Sequence, residues 1–378
     1  MCGIIGVVRR RATREPPELS ELISTLDEAR AKLADWSGRI ESLHEAAAKL
    51  SRVDTDLRGA PGVFALVGDP AGAHELDVRS EAIDALVTMI EQRLDTGEQP
   101  ASGVELEELN AALVALRDPA WTIRHDRIRT AGAVEDLAGS GASRAALESF
   151  GSVQLALSAI DRLEVRGRDS AGLHLLVQGH GLDLTVPAVR ARIDARAADP
   201  LFGSGSVRAF AETVVFVYKA SAEIGELGDN TRRLRAAIRG DELLHEALAV
   251  DTAQTQVLGH TRWASVGIIS EPNAHPLTGE EPHRDGPYVA AALNGDVDNY
   301  AELIVLDDLR IPAEITTDAK VIPTLMTHRR AAGSDPIEAF RTTVTGLDGS
   351  VAIAAAQADV PDALLLALRG SGQALYVG

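Results

Sequence analysis

The sequence predicts an α+β fold, and three observations carry that expectation. Short apolar runs of strand length occur in the first eight residues and again beyond about residue 150. Between them lies a stretch whose apolar residues recur every three or four positions, the spacing of packed helices. The 378 residues are 45% hydrophobic, enough for one large domain or two smaller ones with a buried core.

In chain order, Ile4-Ile5-Gly6-Val7-Val8 reads as a short buried strand, stopped by Pro16-Pro17. From Leu19 the apolar positions Leu19, Leu22, Leu26, Ala29, Leu33, Trp36, Ile40, Leu43, Ala47 and Leu50 trace a 3.5-residue seam, expected in a coiled coil or a long helix hairpin. A Gly- and Pro-punctuated stretch over 58–72 breaks this helix, with Val63 to Val67 as a short strand or buried turn. Ser80 is placed to cap a second helix carrying Ile83, Leu86, Val87, Ile90 and Leu94. A third helix is expected from about Val104 to Arg117, ending before Pro119. The expectation is therefore a mostly helical unit over 10–145, inserted after the first strand and bearing no chemical signature.

Beyond it, Val153 to Leu163 reads as a buried helix, Leu173 to Val177 as a strand, 178–209 as loop, Val214 to Tyr218 as a strand and Asp229 to Leu248 as helix. Val257 to Ser265 runs from a strand into a turn, and Tyr288 to Leu293 is a strand leading straight into Asn294-Gly295. Thr316-Thr317-Asp318 caps a helix expected to start near Ala319. Val351 to Gln357 and Ala363 to Leu368 make a strand pair, and Ala374 to Val377 opens another.

Composition narrows the function. A formal net charge of −19 argues against a nucleic-acid partner, which would need a concentrated basic surface. No apolar run approaches the roughly 18–20 residues of a membrane helix, and Arg9-Arg10-Arg11 follows the opening apolar run where a signal peptide would have its charges first. One cysteine excludes an intramolecular disulfide framework and points to a reducing cytoplasm. No cofactor or metal is called for, since neither His260 nor His275 has a second ligand at zinc-like spacing. Small polar metabolites are the ligands this leaves.

The single cysteine is Cys2. Removal of Met1 would give its thiol a free α-amine of ordinary pKa about 7.7–8.0, a general base on the same residue. Other unusual residues are Arg262, which can grip a carboxylate with a planar fork, and Asp318, which can accept from an ammonium. Arg262 also reads more plainly as a surface salt bridge and Asp318 as a helix cap, and Asn294-Gly295 by itself reads as a type I′ hairpin turn.

Six stretches in one order, Cys2-Gly3-Ile4-Ile5-Gly6, Arg166 to Gly172, His260 to Ser265, Asn273-Ala274-His275-Pro276, Asn294-Gly295 and Thr317-Asp318, resemble the glutaminase domain of the class II glutamine amidotransferases. The resemblance is closest to the glucosamine-6-phosphate synthase branch, and it covers 1–9 and most of 146–378. It implies a four-layer αββα N-terminal-nucleophile hydrolase fold, no cofactor, and a γ-glutamyl thioester formed on Cys2. Asn294 and Gly295 would supply the oxyanion donors, and Arg262, Trp263, Ser265 and Asp318 would bind glutamine. A synthase domain beyond Gly378 would take the ammonia to a sugar phosphate, and a homo-oligomer is a further expected partner arrangement. Val266 and Arg168 depart from the family's histidine and tyrosine, and Arg166 with Asp169 reads as a structural or gating pair. The alternatives are the amidophosphoribosyltransferase or asparagine synthetase branch, and a non-catalytic glutamine-sensing or scaffold domain.

Overall fold

The computed structural model describes residues 2–97, 104–210, 212–221, 226–370 and 372–378. The chain divides into two compact units, one formed by 1–10 with 148–378 and the other by 11–147.

The second unit is helical. Its helices are α1 (Leu19–Ala34), α2 (Ile40–Asp56), α3 (Gly59–Gly68), α4 (Pro70–Asp95), α5 (Val104–Thr122) and α6 (Arg129–Ala138), with a π-helical stretch at Ile123–Ile128. The predicted seam residues Leu19, Leu22, Leu26, Leu33, Leu43 and Leu50 are all in its core. The seam is not one rod: it breaks after α1, where the Trp36 indole N–H donates to the Arg39 carbonyl at 2.9 Å. Three local expectations fail. Val63 to Val67 lies inside α3, because Pro61 sits in the first helical turn, where a missing N–H costs nothing. Ser80 is buried within α4, whose cap is Asp69, accepting from Gly72 N–H at 2.9 Å. Pro119 lies inside α5, which passes into the π-helical stretch.

The other unit holds two antiparallel sheets. The first has the order β1 (Gly3–Val7), β5 (Gln254–Arg262), β2 (Ser170–Gln178), β4 (Thr213–Ser221), β3 (Val207–Ala209). The second has the order β6 (Leu277–Thr278), β7 (Val289–Val297), β8 (Gly349–Gln357), β9 (Leu365–Arg369). The segment 178–209, expected as loop, contains α8 (Pro187–Ala197) besides β3. The expected Asp229 to Leu248 helix is two, α9 (Asp229–Arg239) and α10 (Glu242–Leu248), separated by Gly240 and capped anew by Asp241. No strand forms at Ala374 to Val377.

Alternation along the strands sets two faces. Leu176, Val215, Val217 and Leu258 from the first sheet meet Ala290, Ala292, Ala354 and Ala356 from the second, so alanine side chains let the sheets pack closely. Outside, α9 lies on β2 and β4, while α12 (Val321–Ala331) and α13 (Pro336–Thr345) cover the second sheet. The layering is therefore helix, sheet, sheet, helix, with α7 (Arg144–Leu163) entering it and α11 (Tyr300–Leu306) beside α12. No helix among the described residues is long and apolar enough to cross a membrane.

The space between the sheets is not purely apolar. His174 and Tyr288 meet at 3.0 Å, and the rings of His260 and His275 stack 4.4 Å apart. Burial pushes the His260 imidazole down to about 3 and the His275 ring well below its usual range, so both are neutral. Lys219, on β4, is 3% exposed and its ammonium has no hydrogen-bond partner among the described residues; it lies 5.4 Å from the Phe202 ring.

Candidate functional site

One end of the sheet pair gathers the predicted residues. Register places Gly3 opposite Thr261 and Ser170 opposite Arg262, so Cys2, at the head of β1, falls beside the last residue of β5. Its thiol lies between the main-chain groups of Trp263, accepting from the N–H at 3.1 Å and facing the carbonyl at 3.5 Å. Burial pushes the thiol above its ordinary pKa; the Trp263 N–H and the Arg262 charge act against this, and Asp296 adds to it.

Asn294 comes from β7 on the facing sheet, and its Nδ2 donates to the Cys2 carbonyl at 2.7 Å. The turn reading of Asn294-Gly295 is overturned: both lie within β7, paired with Ala352 and Val351 on β8. Gly295 has φ 127°, and a Cβ there would sit 1.8 Å from the Ser350 carbonyl oxygen, so only glycine fits.

Arg262 is 2% exposed. Its guanidinium donates to the Ile268 carbonyl at 3.0 Å and to the Val266 carbonyl, so it braces the loop that follows it. Val266 thus contributes a main-chain acceptor there. Burial lowers the Arg262 pKa, while Cys2, Asp318 and Asp169 favour its charge. Asp169 accepts from Ala264 N–H at 2.8 Å and donates its own N–H to the Arg262 carbonyl at 3.1 Å. That corrects the expected pairing with Arg166, which makes no ion pair with Asp169 and points to solvent. The Trp263 side chain, in contrast to its buried neighbour, is 53% exposed.

Asp318 begins a short 3-10 turn, with Thr317 in the flanking cap position. Its carboxylate is buried and accepts from Val297 N–H at 2.7 Å and from the Thr317 hydroxyl at 3.3 Å. Burial raises its pKa, and the charge of Asp296 raises it further. Ser265 donates its hydroxyl to Asp296 at 2.6 Å. Asp296 was missed from sequence, although period-two alternation puts it on the same face of β7 as Asn294. The site therefore offers a thiol, an amide donor, a buried cation and two carboxylates, an assortment matched to a zwitterionic amino-acid head group beside a nucleophile.

No family model matches the chain. Part of it is similar to glutamine--fructose-6-phosphate aminotransferase [isomerizing] of Gloeobacter violaceus, 36% identical over 146 residues, which is 38% of this chain and 23% of the relative. The enzyme of that name from Thermosynechococcus vestitus is 30% identical over 224 residues, 57% of this chain and 26% of the relative. The chain thus matches about a quarter of the length of these curated relatives. A solved glutamine phosphoribosylpyrophosphate amidotransferase from B. subtilis is 17% identical, covering 52% of this chain and 37% of that one, with a TM-score of 0.29, too low to carry an argument.

Proposed function

The chain is homologous to part of the glutamine--fructose-6-phosphate aminotransferases, as its resemblance to class II glutamine amidotransferases implies, and from that premise we propose that it hydrolyses the side-chain amide of free glutamine. The observation that carries this reading is the meeting of Cys2, Arg262, Asn294 and Asp318, from four separate stretches of sequence, at one end of the sheet pair.

In the proposed mechanism Met1 is removed and the Cys2 α-amine takes the thiol proton as sulfur attacks the glutamine Cδ. The tetrahedral oxyanion is held by the Asn294 side chain and the Gly295 N–H. Collapse expels ammonia, which carries the proton from the α-amine, and leaves a γ-glutamyl thioester that water then cleaves to glutamate. Arg262 draws the substrate carboxylate and Asp318 its ammonium, while Ser265 and Trp263 line the approach. Ammonia then passes to a sugar-phosphate acceptor in a further synthase domain, giving an amino sugar phosphate. Residues 10–145 serve as an insertion that does not enter the chemistry.

The raised thiol pKa fits the scheme, because a neutral thiol hydrogen-bonded in the resting site requires a base at the moment of attack. The test is ammonia release from L-glutamine by the chain with Met1 removed, compared with L-asparagine and with glutamine esterified at its α-carboxylate. Turnover of glutamine alone supports the reading; equal turnover of the ester would remove Arg262 from its role.

A further inference from the structure

The segment after β9 reaches the site. Arg369, the last residue of β9, donates through one guanidinium nitrogen to the carbonyls of Val344, Thr345 and Leu347, which anchors the end of the strand. Gly370 follows with φ 61°, turning the chain against the Gly349 carbonyl, 3.0 Å from where its Cβ would be. Gln373 then places its Nε2 3.1 Å from the main-chain carbonyl of Asn294.

That carbonyl belongs to the same peptide group as the Gly295 N–H. A donor on the oxygen of a peptide draws electron density from its nitrogen and makes the N–H a stronger donor, the cooperativity of hydrogen-bonded chains. It also adds a side-chain contact to the hold that the β7–β8 pairing already has on this peptide. Resting on the proposed glutaminase reading, we infer that Gln373 is a positioning residue for the oxyanion site: it orients and polarises the Asn294–Gly295 peptide without touching substrate. Transition-state charge is where a preorganised donor acts, so the effect belongs on kcat and not on glutamine binding.

The experiment uses the whole 378-residue chain with Met1 removed and compares Gln373→Leu, which keeps the bulk without the donor, with Gln373→Lys, which restores a donor. Gln373→Leu is expected to lower kcat for glutamine hydrolysis about tenfold with KM within twofold, and Gln373→Lys to recover most of the loss. Alkylation of Cys2 by iodoacetamide, a displacement that forms no oxyanion, is expected at the parent rate in both. A kcat for Gln373→Leu within twofold of the parent overturns the inference, as does a loss that Gln373→Lys does not recover or that alkylation shares. A parent chain that hydrolyses no glutamine overturns the glutaminase reading and this inference with it; a fully active Gln373→Leu overturns the inference alone.

Discussion

Replacing Lys219 by methionine should make the protein more stable. The ammonium is buried in the layer between the sheets with no hydrogen-bond partner among the described residues, and burial, aided by the charge of Lys320, lowers its pKa from 10.5 to about 7. At 1.36 kcal/mol per unit this drop corresponds to ~5 kcal/mol of penalty on the charged form. The sign follows from proton binding. An unfolded chain holds this proton up to about pH 10.4, the folded chain only up to about 7, so between those values stability rises with pH. Below pH 7 the whole penalty is present; at pH 7 itself ~4 kcal/mol is felt, and near pH 10 only ~1 kcal/mol. Methionine has a similar volume, no charge, and a thioether suited to the neighbouring Phe202 ring. Urea unfolding at pH 7, 8.5 and 10, followed by hydrogen exchange in the 213–221 segment, should show the Lys219→Met gain shrinking as pH rises. A gain independent of pH, or a variant less stable than the parent at pH 7, would refute the placement of an unpaired ammonium between the sheets.

Three further outcomes follow from the site. Asp296→Asn removes a negative charge that holds the Cys2 thiol up, so iodoacetamide should label Cys2 about threefold faster at pH 7.5; an unchanged rate would place Asp296 too far away to matter. Asp318→Asn should raise KM for glutamine by roughly two orders of magnitude, the usual cost of unpairing a buried charge. Because the Asp318 carboxyl is raised, kcat/KM of the parent should fall on acidification at a higher pH than the ordinary aspartate value of about 3.9, and the variant should lack that limb in its profile. Gly295→Ala forces a Cβ to 1.8 Å from the Ser350 oxygen at φ 127°, so loss of more than about 4 kcal/mol or insoluble protein is expected; a well-folded variant would contradict the β7–β8 register.

What could be read from sequence follows the range of the forces involved. The seam of Leu19, Leu26, Leu33, Leu43 and Leu50 was legible because each apolar residue declares its face through helical spacing, and all five are buried. Composition misled where position matters more than residue type: Pro61 breaks no helix in a first turn, and Gly295 makes no hairpin when β8 continues alongside it. Ala374 to Val377 has the residues of a strand but no partner among the described residues, and pairing, not propensity, makes a strand. Cys2, Arg262, Asn294 and Asp318 could be named because the stretches that carry them occur in the order of the motifs they resemble. Asp296 lay one period-two step from Asn294, whereas Gln373 could not be found at all, since its contact depends on how the chain turns after Arg369.

The central claim is that Cys2, as the N-terminal residue, forms a covalent bond with the glutamyl group of glutamine. Acid quenching during turnover, followed by intact-mass and fragment analysis, tests it directly. A chain lacking Met1 should carry one added γ-glutamyl group on Cys2, and Cys2→Ala should carry none and release no ammonia. Ammonia release at the parent rate from Cys2→Ala would contradict the account.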